Sequence, residues 1–180
     1  MNTRIISLGI TVLLGSVAAF GQTTATASAN ATTAIYVPIT VTKTADLSFG
    51  DVFAGSTSGT VTVDPAGAAT ATTGTGVSLG VHAAAPAAYT MTGKDSASFS
   101  LTLPANGSVS MTGPGPAIPL TAFTAAVGGG ATTAGPTLTA ALASGGTQTF
   151  KVGATMTIAA SATQTQGSYT GSFNVTVTYN

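Results

Sequence analysis

From residue 35 onward, apolar side chains recur at every second position in short runs, with threonine, serine and other small residues between them. Ile35, Val37, Ile39 and Val41 alternate with Tyr36, Pro38, Thr40 and Thr42. Leu47 and Phe49 stop at Gly50-Asp51, Val61 and Val63 at Asp64-Pro65, Tyr89 and Met91 at Gly93, and Phe99, Leu101 and Leu103 at Pro104. Phe150, Val152, Met156 and Ile158 form a longer run around Gly153, and Tyr169, Phe173, Val175, Val177 and Tyr179 close the chain. Val109 with Met111, residues 118–123 and residues 138–142 are weaker examples. A period of two, punctuated by Gly, Pro, Asn or Asp, is the mark of half-buried strands. No amphipathic helix is visible.

This spacing predicts an all-β domain of seven to nine short strands, arranged as an immunoglobulin-like antiparallel β-sandwich. A barrel is the alternative; a solenoid would need a fixed repeat, and none is present. Residues 66–76 and 127–136 are rich in Gly, Thr and Ala without apolar anchors, which predicts loops.

The first 21 residues read differently. One basic residue, Arg4, precedes an apolar run to Phe20, and Ala19-Phe20-Gly21 sets small residues at the −3 and −1 positions of a cleavage site. That is the anatomy of a removable signal peptide, too short and too rich in small residues for a span of about 20 strongly apolar residues. The expected organisation is a signal peptide over residues 1–21, a flexible Thr/Ala-rich extension over 22–34 and one domain over 35–180. The mature chain then carries no transmembrane segment, and the protein is expected in the periplasm in transit and afterwards at the cell surface or outside.

Composition narrows the function. Cysteine is absent, so an exported chain of this length relies on packing and sheet hydrogen bonds rather than disulfides. Only 4% of residues are charged, with a formal net charge of zero. Three lysines after residue 21 cannot form a phosphate-neutralising stripe, which excludes nucleic acid as a partner. Low net charge also favours association. His82 is the only histidine, with no nucleophile motif beside it, and reads as a loop or edge residue. The four aspartates are scattered and glutamate is missing, so no metal or cofactor site is expected and the chain does not read as an enzyme.

The final fourteen residues, Gly167 to Asn180, carry the most informative pattern. Apart from Gly171, one face reads Tyr169, Phe173, Val175, Val177, Tyr179. This segment resembles the last strand of chaperone-usher pilus subunits, with its glycine fourteen residues from the end and its penultimate tyrosine. Such membership implies a sandwich lacking one strand, the gap being filled first by a periplasmic chaperone, delivered to an outer-membrane usher, and then by the N-terminal strand of the next subunit. Phe173, Val175 and Val177 would border that groove. Over its mature length the chain also resembles the exported bacterial family catalogued as domain of unknown function 4402. The matching pieces are residues 35–41, Leu47-Ser48-Phe49-Gly50, Val61-Thr62-Val63-Asp64-Pro65, Ser100-Leu101-Thr102-Leu103-Pro104, residues 150–156 and the closing strand. That layout is similar to the spore-coat-U-like pilins, whose usual cysteines are missing here.

Strand donation needs an N-terminal segment with alternating plugs. Residues 22–34 offer only Thr and Ala, which bury little area; Ile35, Val37, Ile39 and Val41 are larger plugs, although Pro38 lacks a ladder donor. The same residues serve equally as the domain's own first strand. The expected function is therefore a structural subunit of a surface fimbria or coat, self-assembled by strand exchange. The rival is a monomeric surface module that binds carbohydrate or protein through its loops.

Overall fold

The computed structural model describes residues 24–66, 71–73 and 76–180. Residues 1–21, expected to be a signal peptide, lie outside the described residues. The chain divides into two units, residues 1–34 and 35–180. Residues 24–34 carry no regular secondary structure and are exposed.

The second unit is all β. Its strands are β1 (Thr40–Ala45), β2 (Val52–Ala54), β3 (Gly59–Val63), β4 (Ala71–Thr73), β5 (Val77–Leu79), β6 (Ala87–Thr92) and β7 (Ser98–Thr102), then β8 (Val109–Met111), β9 (Ile118–Val127), β10 (Thr133–Ala134), β11 (Thr137–Ala141), β12 (Thr147–Ile158) and β13 (Thr176–Tyr179). Eight of them have four residues or more, within the expected seven to nine; the other five are fragments of two or three residues. Among the described residues every pairing is antiparallel and the sheets do not close into a barrel. Among the described residues no helix is long and apolar enough to cross a membrane.

The wide sheet is organised by β12. Phe150, Val152, Ala154, Met156 and Ile158 all point inward and are buried, while Thr149, Lys151 and Thr157 face out. One edge of β12 pairs first with β6 and then with β3, and the opposite edge pairs with β9. Gly153 sits where β6 hands over to β3: a Cβ there would strike the Val63 carbonyl, so only a bare backbone fits. Strand β1 flanks β6, β4 flanks β3, and β8 and β10 flank β9.

Strand β9 changes phase midway. Ile118 and Leu120 point inward, but so do Phe123 and Ala125, because Ala122 is an extra residue opposite β12 with φ of 48°. Its freed N–H donates to the Asn106 side-chain oxygen at 2.8 Å.

The second layer is a narrower three-stranded sheet, β11-β7-β13, and β2 pairs with β5 in a separate two-stranded sheet beside β3 and β4. Phe99 and Leu101 of β7 are fully buried against the wide sheet, whereas Ser98, Ser100 and Thr102 face away from the core. Tyr89 stacks on Phe150 at 4.9 Å, and Phe123 meets Phe173 at 5.3 Å, joining the wide sheet to the segment that enters β13. Two antiparallel layers around one apolar core make the expected sandwich.

Three local expectations change. The stretches 66–76 and 127–136, expected as loops, contain β4 and β10, short additions held by the edges of β3 and β9. The run 35–41 is not one strand: Pro38 lacks an N–H, and the ladder to β6 begins only at Thr40. The closing run is likewise shorter than its alternation, with 176–179 paired to β7 and only Thr170 bridged, to Thr112, before it.

Candidate functional site

The proposed plugs lie on a segment that the domain barely covers. Ile35 is 91% exposed, Val37 63% and Val41 38%, while Ile39 is half-buried against the core. Val41 belongs to β1 and pairs with Met91, so the segment outside any ladder stops at Ile39.

The C-terminal residues keep their alternation in space. Phe173, Val175, Val177 and Tyr179 are half-buried, and Asn174, Thr176, Thr178 and Asn180 are exposed. Gly167 has φ of 149° and its Cβ would run into Pro114, so this turn requires glycine. Gly171 interrupts the apolar face because the chain there crosses close to the backbone of Ser110 and Met111. Tyr169 is half-buried, and its hydroxyl donates to the Thr165 carbonyl at 2.8 Å. Among the described residues β13 pairs with β7 alone, and its outer edge has no ladder.

Two stretches of chain face each other across this region. One runs from Val37 to Gly55 and the other from Ser161 to Tyr179, in opposite directions. They touch at both ends. The Tyr179 hydroxyl donates to the Val37 carbonyl at 2.9 Å, and Ser161 N–H donates to the Gly55 carbonyl at 2.8 Å. Between those ties opens a cleft of about 1130 Å³, walled by residues 47–54 and 161–169. Its floor is Met111, Ile118, Met156 and Ile158, the apolar end of the wide sheet.

Asp51 on one wall is the charged group nearest the cleft. Its Oδ2 lies 2.5 Å from His82 Nδ1, and that hydrogen bond holds the carboxyl below its ordinary range. The His82 side chain is 82% exposed, in keeping with a loop position. The pairing itself escapes sequence reading because 31 positions separate the partners; the turn residues Gly50 and Gly80 beside them were the available signal. Among the described residues no hydroxyl bonds to the imidazole, and no three His, Cys, Asp or Glu side chains group as metal ligands.

Comparison with known proteins adds one finding. The family model described as Domain of unknown function (DUF4402) matches residues 39–179. The chain belongs to that family. No curated protein and no solved structure matches it. The match thus starts one residue before β1, and residues 35–38, which belong to the same compact unit, precede it.

Proposed function

We propose that this DUF4402 protein is a structural subunit of a bacterial surface fimbria or coat, exported through a signal peptide and joined to its neighbours by strand donation. The observation that carries the reading is the edge strand β13, which pairs with β7 alone among the described residues, together with a cleft lined by residues 47–54 and 161–169. An open edge is a template for a foreign backbone, and natural domains normally blunt it with charge. Here Thr176, Val177, Thr178 and Tyr179 offer no charge. A strand added there gains main-chain hydrogen bonds, and its alternate side chains cover the half-exposed Phe173, Val175 and Val177. Each large apolar plug that becomes buried contributes about 1.5–3 kcal/mol.

The donor is the stretch that ends at Ile39, with Ile35 and Val37 as its largest plugs. A periplasmic chaperone that pairs with the same edge before assembly, and an outer-membrane usher that releases the subunit, are the partners this reading implies. Deleting residues 22–38 tests it, since β1 and everything after it remain. Negative-stain microscopy of sheared surface material is expected to show filaments from the full chain and none from the deletion, with the shortened domain still exported and folded. Filaments of normal length from the deletion would refute strand donation.

A second reading, a monomeric binding module, draws on Phe53, which is 62% exposed and lines the cleft with Asp51. A full-length chain that stays monomeric at high concentration would favour it.

A further inference from the structure

One side chain ties the stretch before β1 to the far end of the polypeptide. The Tyr179 hydroxyl donates to the Val37 carbonyl at 2.9 Å and accepts from Lys94 N–H at 2.6 Å. The Tyr36 ring lies 6.5 Å from the Tyr179 ring, and Lys94 Nζ stands 4.1 Å from the Tyr36 centroid, within cation–π range. Gly93 completes the seat, because a Cβ there would strike the Tyr179 hydroxyl. Among the described residues no other hydrogen bond reaches residues 35–38. They belong to no ladder, and the Ile35 and Val37 side chains are mostly in water.

We infer that Tyr179 is a clasp that holds residues 36–38 on their own domain and delays their handover to a neighbouring copy. The inference rests on the strand-donation reading for the handover, but the clasp itself rests on the contacts alone. A segment hung on one phenol and one cation–π contact opens locally at small cost, far below the cost of unfolding the core. Loss of one neutral hydrogen bond with solvent-accessible partners favours the open form by roughly three- to tenfold. Tyr179 is also the last residue of β13, in register with Phe99. A strand arriving along that edge therefore reaches the residue that retains the acceptor's own arm, and the two events share one side chain.

Tyr179→Phe in the full mature chain tests this. It keeps the ring and removes both hydrogen bonds, leaving Lys94 N–H and the Val37 carbonyl to water. The expected result is lower NMR backbone order parameters at residues 36–39, an unchanged melting temperature, and an assembly lag by light scattering shortened about three- to tenfold. Lys94→Met, which keeps the backbone N–H and removes only the cation, should shift both readouts the same way by less. Unchanged order at residues 36–39 overturns the clasp. Lower order with an unchanged or longer lag overturns the delay. Lower order with no assembly by either protein overturns strand donation and the handover with it, and leaves the clasp standing.

Discussion

Val152 and Val177 are the same residue on the inward faces of strands in opposite layers, yet Val152 is fully buried and Val177 only half so. The difference lies in their neighbours. Strand β12 has partners on both edges, and the second layer covers its inward face. Among the described residues strand β13 has a partner on one side only. Within the narrow sheet the contrast repeats: Phe99 and Leu101 of the central strand are fully buried, whereas Leu138 and Ala140 of β11, like Val177 and Tyr179 of β13, are half-buried. An alternating sequence thus specifies which face turns inward, and the number of flanking strands decides how completely that face is covered. The wide sheet with β7 holds the fold, and the border of the narrow sheet retains pairing capacity.

The largest test of that division is Phe150→Ala. Phe150 is 1% exposed, stacks on Tyr89 and pairs with both β6 and β9, so truncation opens a cavity where three strands meet. It should cost about 3–5 kcal/mol in urea denaturation. A similar loss from Phe173→Ala, at the half-covered border, would erase the contrast between the layers.

A smaller and cleaner comparison uses the two valines. Val152→Ala should cost about 2–3 kcal/mol, from two buried methyl groups and the void they leave. Val177→Ala should cost about 1 kcal/mol or less, since water already reaches that site. In the assembled form the order changes: if a donated strand covers β13, the Val177 substitution weakens the polymer more than the monomer. Equal effects of Val177→Ala on monomer and polymer would show that β13 stays uncovered after assembly.

Much of this layering is legible in the residues themselves. Val61 with Val63 and Phe99 to Leu103 alternate against hydroxyl residues, Phe150 to Ile158 against Lys151, Gly153, Thr155 and Thr157, and each of those inward sets is buried. Their strands lie in the middle of sheets, where burial and alternation coincide. Legibility fails where partners far along the chain set the geometry. The phase change in β9 depends on a bulge at Ala122 whose N–H is taken up by Asn106, and no periodicity encodes that bond. Strands β4 and β10 lie in Gly-, Thr- and Ala-rich stretches because edge pairing needs backbone more than apolar anchors. Residues 35–41 have the strongest alternation near the N-terminus, yet Ile35, Val37 and Val41 are exposed and only Ile39 packs against the core. The cleft itself joins residues 47–54 to 161–169, and the tie between Tyr179 and Val37 spans 142 positions. Only the glycine and the tyrosine of the last fourteen residues signalled that border, and both prove to have physical duties: Gly167 in a turn barred to other residues, Tyr179 in a seat of hydrogen bonds.

The smallest expected effects are electrostatic, and they too separate the wide sheet from its surroundings. Asp64, just past β3 of the wide sheet, accepts from the Thr132 hydroxyl at 2.6 Å and from Ala66 N–H at 2.8 Å, and those bonds hold its carboxyl below the ordinary range. Asp51, which precedes β2 in the small β2–β5 sheet, is lowered by its bond to His82. In the unfolded chain both carboxyls titrate near the usual value of about 3.9. A carboxyl lowered by folding stabilises the native state while charged, so the contribution is complete above that value and disappears as the pH falls through the lowered one. The melting temperature should accordingly stay level from neutral pH to about 5 and decline below about 4. Asp64→Asn is expected to flatten that acid slope slightly, because Asp64 ties the end of β3 to the chain just before β10 and so acts on the sheet that governs global unfolding. Asp51→Asn should leave the global slope as it is and raise hydrogen exchange only in the small β2–β5 pair. If Asp51→Asn flattened the slope more than Asp64→Asn, the β2–β5 pair would be part of the cooperative core rather than its border.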